Sequence, residues 1–178
     1  MPYFVAKTPE QPLFIEGRLL YGQTENEISP LGTYTDSFQT ERKLAQLRVT
    51  DEYQYRATTL MPLLDATYTD DTQQAYTDNL GNTIPGQTIS LTQVTAGIDF
   101  STPIPIETGT LTLNGGLSGI YSSTTGGTAD FEGMRGRAEL GINNDLESGT
   151  TFRVSIFYDG LGSDFEARGA SLGFDMAF

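Results

Sequence analysis

The chain has 178 residues, 37% of them hydrophobic, a mean hydropathy of -0.28, and no cysteine, tryptophan or histidine. These values exclude a disulfide scaffold, thiolate or imidazole metal sites and catalysis by a histidine base, and no window approaches the roughly 18 apolar residues of a spanning helix. A net charge of -13 and a pI near 4.1 speak against nucleic acid as a partner, because binding a polyanion needs clustered Lys and Arg.

The opening residues 1–7 have no basic region followed by a long apolar run, so they do not read as a secretory signal. Residues 3–6 look like the tail of an earlier strand. In residues 13–22, Leu13, Ile15, Gly17, Leu19 and Tyr21 alternate with Phe14, Glu16, Arg18 and Leu20, the period-2 pattern of a strand with one apolar and one charged face. A polar loop is expected over 25–40, centred on Ser29-Pro30-Leu31-Gly32. The second strand, 42–55, sets Ala45, Leu47, Val49, Tyr53 and Tyr55 against Gln46, Arg48, Thr50, Glu52 and Gln54. A tight reversal near Arg56 leads to a third strand with Leu60, Pro62, Leu64, Ala66 and Tyr68 on its apolar face. Pro62 cannot donate to a ladder, and a bulge or kink is expected there.

A second polar loop is expected over 70–87. The fourth strand, 88–100, begins with Ile89 and Leu91 on the apolar side and ends with Val94, Ala96, Ile98 and Phe100, a parity change that predicts a bulge near Thr92-Gln93. A Pro103-Ile104-Pro105 turn follows. Strands five (111–121), six (134–143) and seven (152–159) alternate in the same way, and a Gly160–Ser163 turn opens the last strand, about 165–178. There Leu172, Phe174, Met176 and Phe178 oppose Ser171, Gly173, Asp175 and Ala177.

The expected fold is therefore all-β: an antiparallel up-and-down transmembrane barrel with about eight strands present, forming one domain over residues 1–178. Its longer loops, 24–40, 69–87, 123–130 and 161–164, would share the end opposite the C-terminus. Glu16, Arg18, Arg48, Glu52, Arg135, Arg137, Glu139, Arg153, Asp159 and Asp175 all fall on the inferred inner face. In a dry core such charges would cost several kcal/mol each, a cost that a wet lumen removes. Two readings stay open: a polar channel that passes a chain or solute, or a lumen zipped shut by Arg–carboxylate pairs. Tyr21, Tyr53, Tyr55, Tyr68, Tyr121 and Tyr158 lie near strand ends, where interfacial girdles form.

Asp70-Asp71 and Asp159 with Asp164 read as solvated acids and not calcium ligands, since nothing holds them at ligand spacing. Gly160-Leu161-Gly162 is a hairpin turn, because no helix pattern follows it. No serine has a histidine partner. No enzyme, metal or cofactor is expected.

These residues carry a resemblance. Ser171, Gly173, Met176 and the terminal Phe178 are placed like the assembly signal of bacterial outer-membrane barrels. Leu19-Leu20-Tyr21-Gly22-Gln23-Thr24-Glu25-Asn26, Thr35-Asp36-Ser37-Phe38, Ala75-Tyr76-Thr77-Asp78 and Phe157-Tyr158-Asp159-Gly160-Leu161-Gly162 resemble the translocator domain of autotransporters, the type V secretion proteins. The resemblance implies the C-terminal part of a twelve-stranded barrel in the bacterial outer membrane. It would be assembled by the barrel-assembly machinery and would assist export of an N-terminal passenger, with upstream strands and passenger lying before Met1. The rivals are a complete small outer-membrane barrel acting through its loops, a barrel-embedded hydrolase or acyltransferase, and a soluble sandwich adhesin.

Overall fold

The computed structural model describes residues 2–9, 11–29, 32–127 and 130–176. They form an antiparallel up-and-down all-β structure, with no α-helix among the described residues. The strands are β1 (Tyr3–Lys7), β2 (Phe14–Ile28), β3 (Asp36–Thr50), β4 (Tyr53–Tyr55), β5 (Thr58–Gln73), β6 (Tyr76–Thr77), β7 (Thr83–Ile84), β8 (Gln87–Ile106), β9 (Gly109–Thr125), β10 (Phe131–Leu146), β11 (Thr150–Leu161) and β12 (Ala167–Met176). One sheet runs in the order β1-β2-β3-β5-β8-β9-β10-β11-β12, with β4 also on β5; β6 and β7 form a small separate hairpin. Among the described residues no pairing joins β12 to β1 or β2, so the sheet has two free edges.

The eight expected strands are present, and residues 3–6 belong to a paired strand, β1. Connections after β2, β5, β9 and β11 share one end, as expected from the alternation, while two- and three-residue turns, the six-residue 8–13 connection between β1 and β2, and the β12 terminus occupy the other. Strands are longer at the loop end than expected. β2 and β3 pair out to Ile28↔Asp36, and β5 and β8 out to Gln73↔Gln87, because cross-strand Thr, Gln and Asn side chains support a ladder that apolar periodicity does not mark. At the same end β12 is the exception, beginning only at Ala167.

Three local expectations are corrected. No bulge sits near Thr92-Gln93: the β5–β8 register runs unshifted from Thr59↔Ser101 to Gln73↔Gln87, placing Ile89 and Leu91 on the charged face. Keeping ladder bonds to both neighbours outweighs the facing of two side chains beyond the apolar band. Pro103 and Pro105 lie inside β8, opposite Thr112 and Thr110, and the turn is at 107–108. Their missing N–H groups point away from β9, where β5 has already ended at Thr58. Pro62 causes no bulge. Thr50↔Leu63 and Tyr53↔Leu60 keep one register across it, and Asp51 N–H still donates to the Pro62 carbonyl at 3.1 Å. Only the return bond is lost, which separates β3 from β4.

The reversal at Arg56 occurs as expected, with φ 57. The one irregular pairing in β10–β11, between Gly136↔Leu161 and Arg137↔Asp159, leaves Gly160 as an extra residue at φ 123, a conformation that suits glycine.

Packing is inverted relative to a soluble domain. Ile120, 5% exposed, is the buried hydrophobic residue among the described ones, whereas Asp36, Asp65, Ser122 and Asp159 are buried polar groups. Register aligns the apolar side chains in rows that cross the sheet: Leu47, Ala66, Val94, Tyr121 and Met134; Ile98, Leu117, Ala138 and Tyr158; Ile142, Val154 and Leu172. These rows are largely open, with Leu117 58% and Leu172 80% exposed. Leu172, Phe174 and Met176 do not pack beneath any other layer.

Candidate functional site

The opposite face carries the chemistry. Alternation from the paired registers puts Glu16, Arg18, Arg48, Arg135, Arg137, Glu139, Arg153, Asp159 and Asp175 on this one face, whereas Glu52 lies in the break between β3 and β4. They are grouped locally and do not converge on one centre.

On β2, β3 and β5 the row Glu16↔Arg48↔Asp65 is built around Asp65. Its carboxylate accepts from Arg48 Nε at 3.0 Å, Gln46 Nε2 at 2.7 Å and Thr67 Oγ1 at 3.0 Å, and it is 6% exposed. Three donors compensate the desolvation of one charge. On β10 and β11, Arg135 donates to Asp159 at 2.9 Å and to Ser122 Oγ at 2.9 Å, with its guanidinium 5.2 Å from the Phe165 ring centre. Arg137 donates to Glu139 at 2.9 Å and lies 4.2 Å over Phe157. Arg153 pairs with Asp175 across β11–β12, and Arg42 with Asp71 across β3–β5. Among the described residues Arg18 and Glu16 hold no ion pair.

Small residues make this arrangement possible. The Phe157 ring covers Gly169, where an added Cβ would lie 2.5 Å from Cε1; Asp99 likewise leans over Gly116. Between β5, β8, β9 and β10 a depression of about 450 Å³ is lined by Met61, Asp99, Ser101, Asn114, Arg137 and Glu139, among others. No group of three or more acidic residues placed to hold a metal occurs among the described residues.

Asp65, Ser122 and Asp99 belong to this polar face and were not singled out from the sequence, whereas Gln46 reads there as an inner position of the second strand. Asp65 was legible there: it sits between Leu64 and Ala66, at an inner position of the third strand. Of the terminal signal, Ser171 Oγ lies 2.8 Å from Ser155 Oγ, Gly173 pairs with Arg153 and Met176 with Thr150; Phe178 lies outside the described residues.

At the loop end the β2–β3 and β5–β8 connections are tied together. Asn79 N–H donates to Asp36 at 2.9 Å, its side chain donates to the Thr35 carbonyl, and Phe38 stacks on Tyr76 at 5.4 Å. Within the β6–β7 turn, the Asn82 side chain holds the Asp78 carboxyl below the ordinary range, opposed by desolvation and helped by the backbone N–H groups of Asn82 and Leu80.

Chemically this is a wall: a polar face on which Arg48, Arg135, Arg137 and Arg153 each pair with a carboxylate, backed by a face of apolar rows. No protein-family model and no curated protein sequence matches the chain.

Proposed function

We propose that the chain forms the wall of an outer-membrane β-barrel, its apolar rows against lipid and its charged face lining a polar passage, and that it serves as an autotransporter-type translocator for an N-terminal passenger. The carrying observation is the inverted packing: rows of large apolar side chains lie open on one face, and no second protein layer among the described residues covers them. Soluble monomers seldom leave apolar patches above a few hundred Å² exposed to water. The apolar positions of β9 run from Leu111 to Tyr121, and β5 supplies Leu60 to Tyr68, matching the roughly 9–11 residues with which a tilted strand crosses a bilayer. From β2 onward, longer connections at one end and two- and three-residue turns at the other have the asymmetry of membrane barrels. The translocator role itself rests on the segments quoted above and on a polar lining.

The test is insertion. The full chain mixed with phospholipid vesicles should float with them and migrate on gels differently before and after boiling; a chain that stays in the aqueous phase and shows one mobility contradicts the reading. Fusing a passenger upstream and measuring its protease sensitivity at the cell surface tests translocation separately. The tied loop end favours a second reading, a small barrel that works through its surface connections, because Asn79, Asp36 and the Phe38–Tyr76 stack hold that end in one shape.

A further inference from the structure

The two free edges of the sheet are not equivalent, and the difference points to a competition between strands. β1 pairs with β2 only over Phe14 to Arg18, from Tyr3↔Arg18 to Lys7↔Phe14, and Leu19 N–H reaches the Pro2 carbonyl at 3.1 Å. Beyond that point the β2 edge has no strand partner among the described residues, and neither does the outer edge of β12. β2 and β12 run antiparallel, and with β3, β5, β8, β9, β10 and β11 between them they make eight long strands, an even number that closes antiparallel.

Following paired residues across the sheet from Phe14 leads through Thr50, Leu63, Gly97, Ser118, Arg137 and Asp159 to Ala167. An eight-stranded ring with strands tilted near 36° has a shear of about 8. Ala167 would then meet Gly22, Ala170 would meet Leu19, and Leu172 would meet Gly17. An even shear keeps the apolar side chains of both strands on the same face. In this register Ser171 to Asp175 need the stretch of β2, Phe14 to Arg18, that β1 occupies.

We propose that β1 is a displaceable edge strand, and that it holds open a barrel which closes when β12 takes its place on β2. The proposal rests on the membrane-wall reading, and three further observations support it. The Phe4 ring lies over Gly17, where a side chain would overlap it, and Leu172, the most exposed large apolar residue of β12, would occupy that hollow on closure. Glu16, which holds no ion pair among the described residues, would face Arg153 across Gly173, a position without a side chain. Large inner residues on β10 and β11 (Arg135, Arg137, Glu139, Phe157) alternate with small ones on β9 and β12 (Gly116, Ser118, Gly169, Ser171), the filling that a narrow barrel needs.

The absence of cysteine makes the test direct. Leu19→Cys is combined with Ala170→Cys, and separately with Leu172→Cys for a register displaced by two, in the full chain added to phospholipid vesicles under mild oxidant. One of the pairs should form a disulfide within a single chain. Adding Ala6→Pro removes a ladder donor from β1 and should speed that reaction about tenfold, the factor expected for one lost ladder bond. A chain that floats with vesicles but forms no 19–170 or 19–172 disulfide, or forms it only between copies, overturns the proposal. So does a rate that Ala6→Pro leaves unchanged, and both leave the membrane wall standing. A chain that never enters vesicles overturns both.

Discussion

Asp65 is the residue on which the charged face depends most. With Arg48, Gln46 and Thr67 all donating to it, replacement by Ala leaves those donors without their acceptor in a largely enclosed position. The expected loss is about 1–3 kcal/mol, less than for a fully buried pair because Arg48 is half open to water. Urea unfolding of the vesicle-bound protein measures it, and Asp65→Asn should recover part of the loss; no change for Asp65→Ala would mean that the three bonds carry no net weight. Asp78 acts differently. Its carboxyl is depressed in the folded state, so the contribution to the β6–β7 turn is fully present above the ordinary carboxylate pKa and is lost as pH falls through the folded value. Amide exchange at Leu80 and Asn82 should therefore accelerate on acidification in the parent chain, and should be insensitive to pH over that window in Asp78→Asn after correction for intrinsic exchange.

Single elements show where side-chain pattern is a sufficient guide and where the ladder overrides it. Within the apolar band, β9, β10 and β11 lie where alternation puts them, because a one-residue slip would turn every apolar group to the wrong face. Beyond the band water bathes both faces, alternation stops carrying information, and the loop-end extensions of β2, β3, β5 and β8 were not legible. Ile89 and Leu91 belong to that region, and for them continuity of hydrogen bonding decides the facing. Pro62 and Pro103 make the complementary point: a proline breaks a sheet only where its missing donor faces a neighbouring strand. On β12, Gly169 exists to receive the Phe157 ring. Gly169→Val should displace that ring and the Arg137 guanidinium above it, costing about 1–3 kcal/mol, with a changed near-ultraviolet dichroism as the check. An unperturbed aromatic signal would show that the ring has room to spare.

For the whole molecule, the decisive comparison is between neighbours that face opposite ways. Leu117→Arg places a charge in the open apolar rows, and Ser118→Arg places the same charge on the polar face, opposite Arg137 in the depression that Asn114 and Glu139 also line. If lipid covers the apolar face, the first should cost about 2–4 kcal/mol of stability in vesicles and the second far less. Equal costs would mean that a protein layer, not lipid, covers those rows. Deleting Phe178, or replacing it with Asp, should impair outer-membrane assembly in cells, read as loss of the folded gel band; normal assembly would remove the terminal signal from the reading.

The alternation of side chains determined, without coordinates, that the chain is an antiparallel meander and which ends of it carry the long connections. That much is local, since a strand's period of two is a property of its own residues. Tertiary structure decided which charges meet: Asp65 becomes the centre of a cluster only when β3 brings Arg48 and Gln46 beside it, and Arg135 finds Asp159 only through a neighbouring strand. It also decided that β1 occupies the edge of β2, because partner choice at an edge depends on backbone groups that every residue carries alike and that no side-chain pattern reveals.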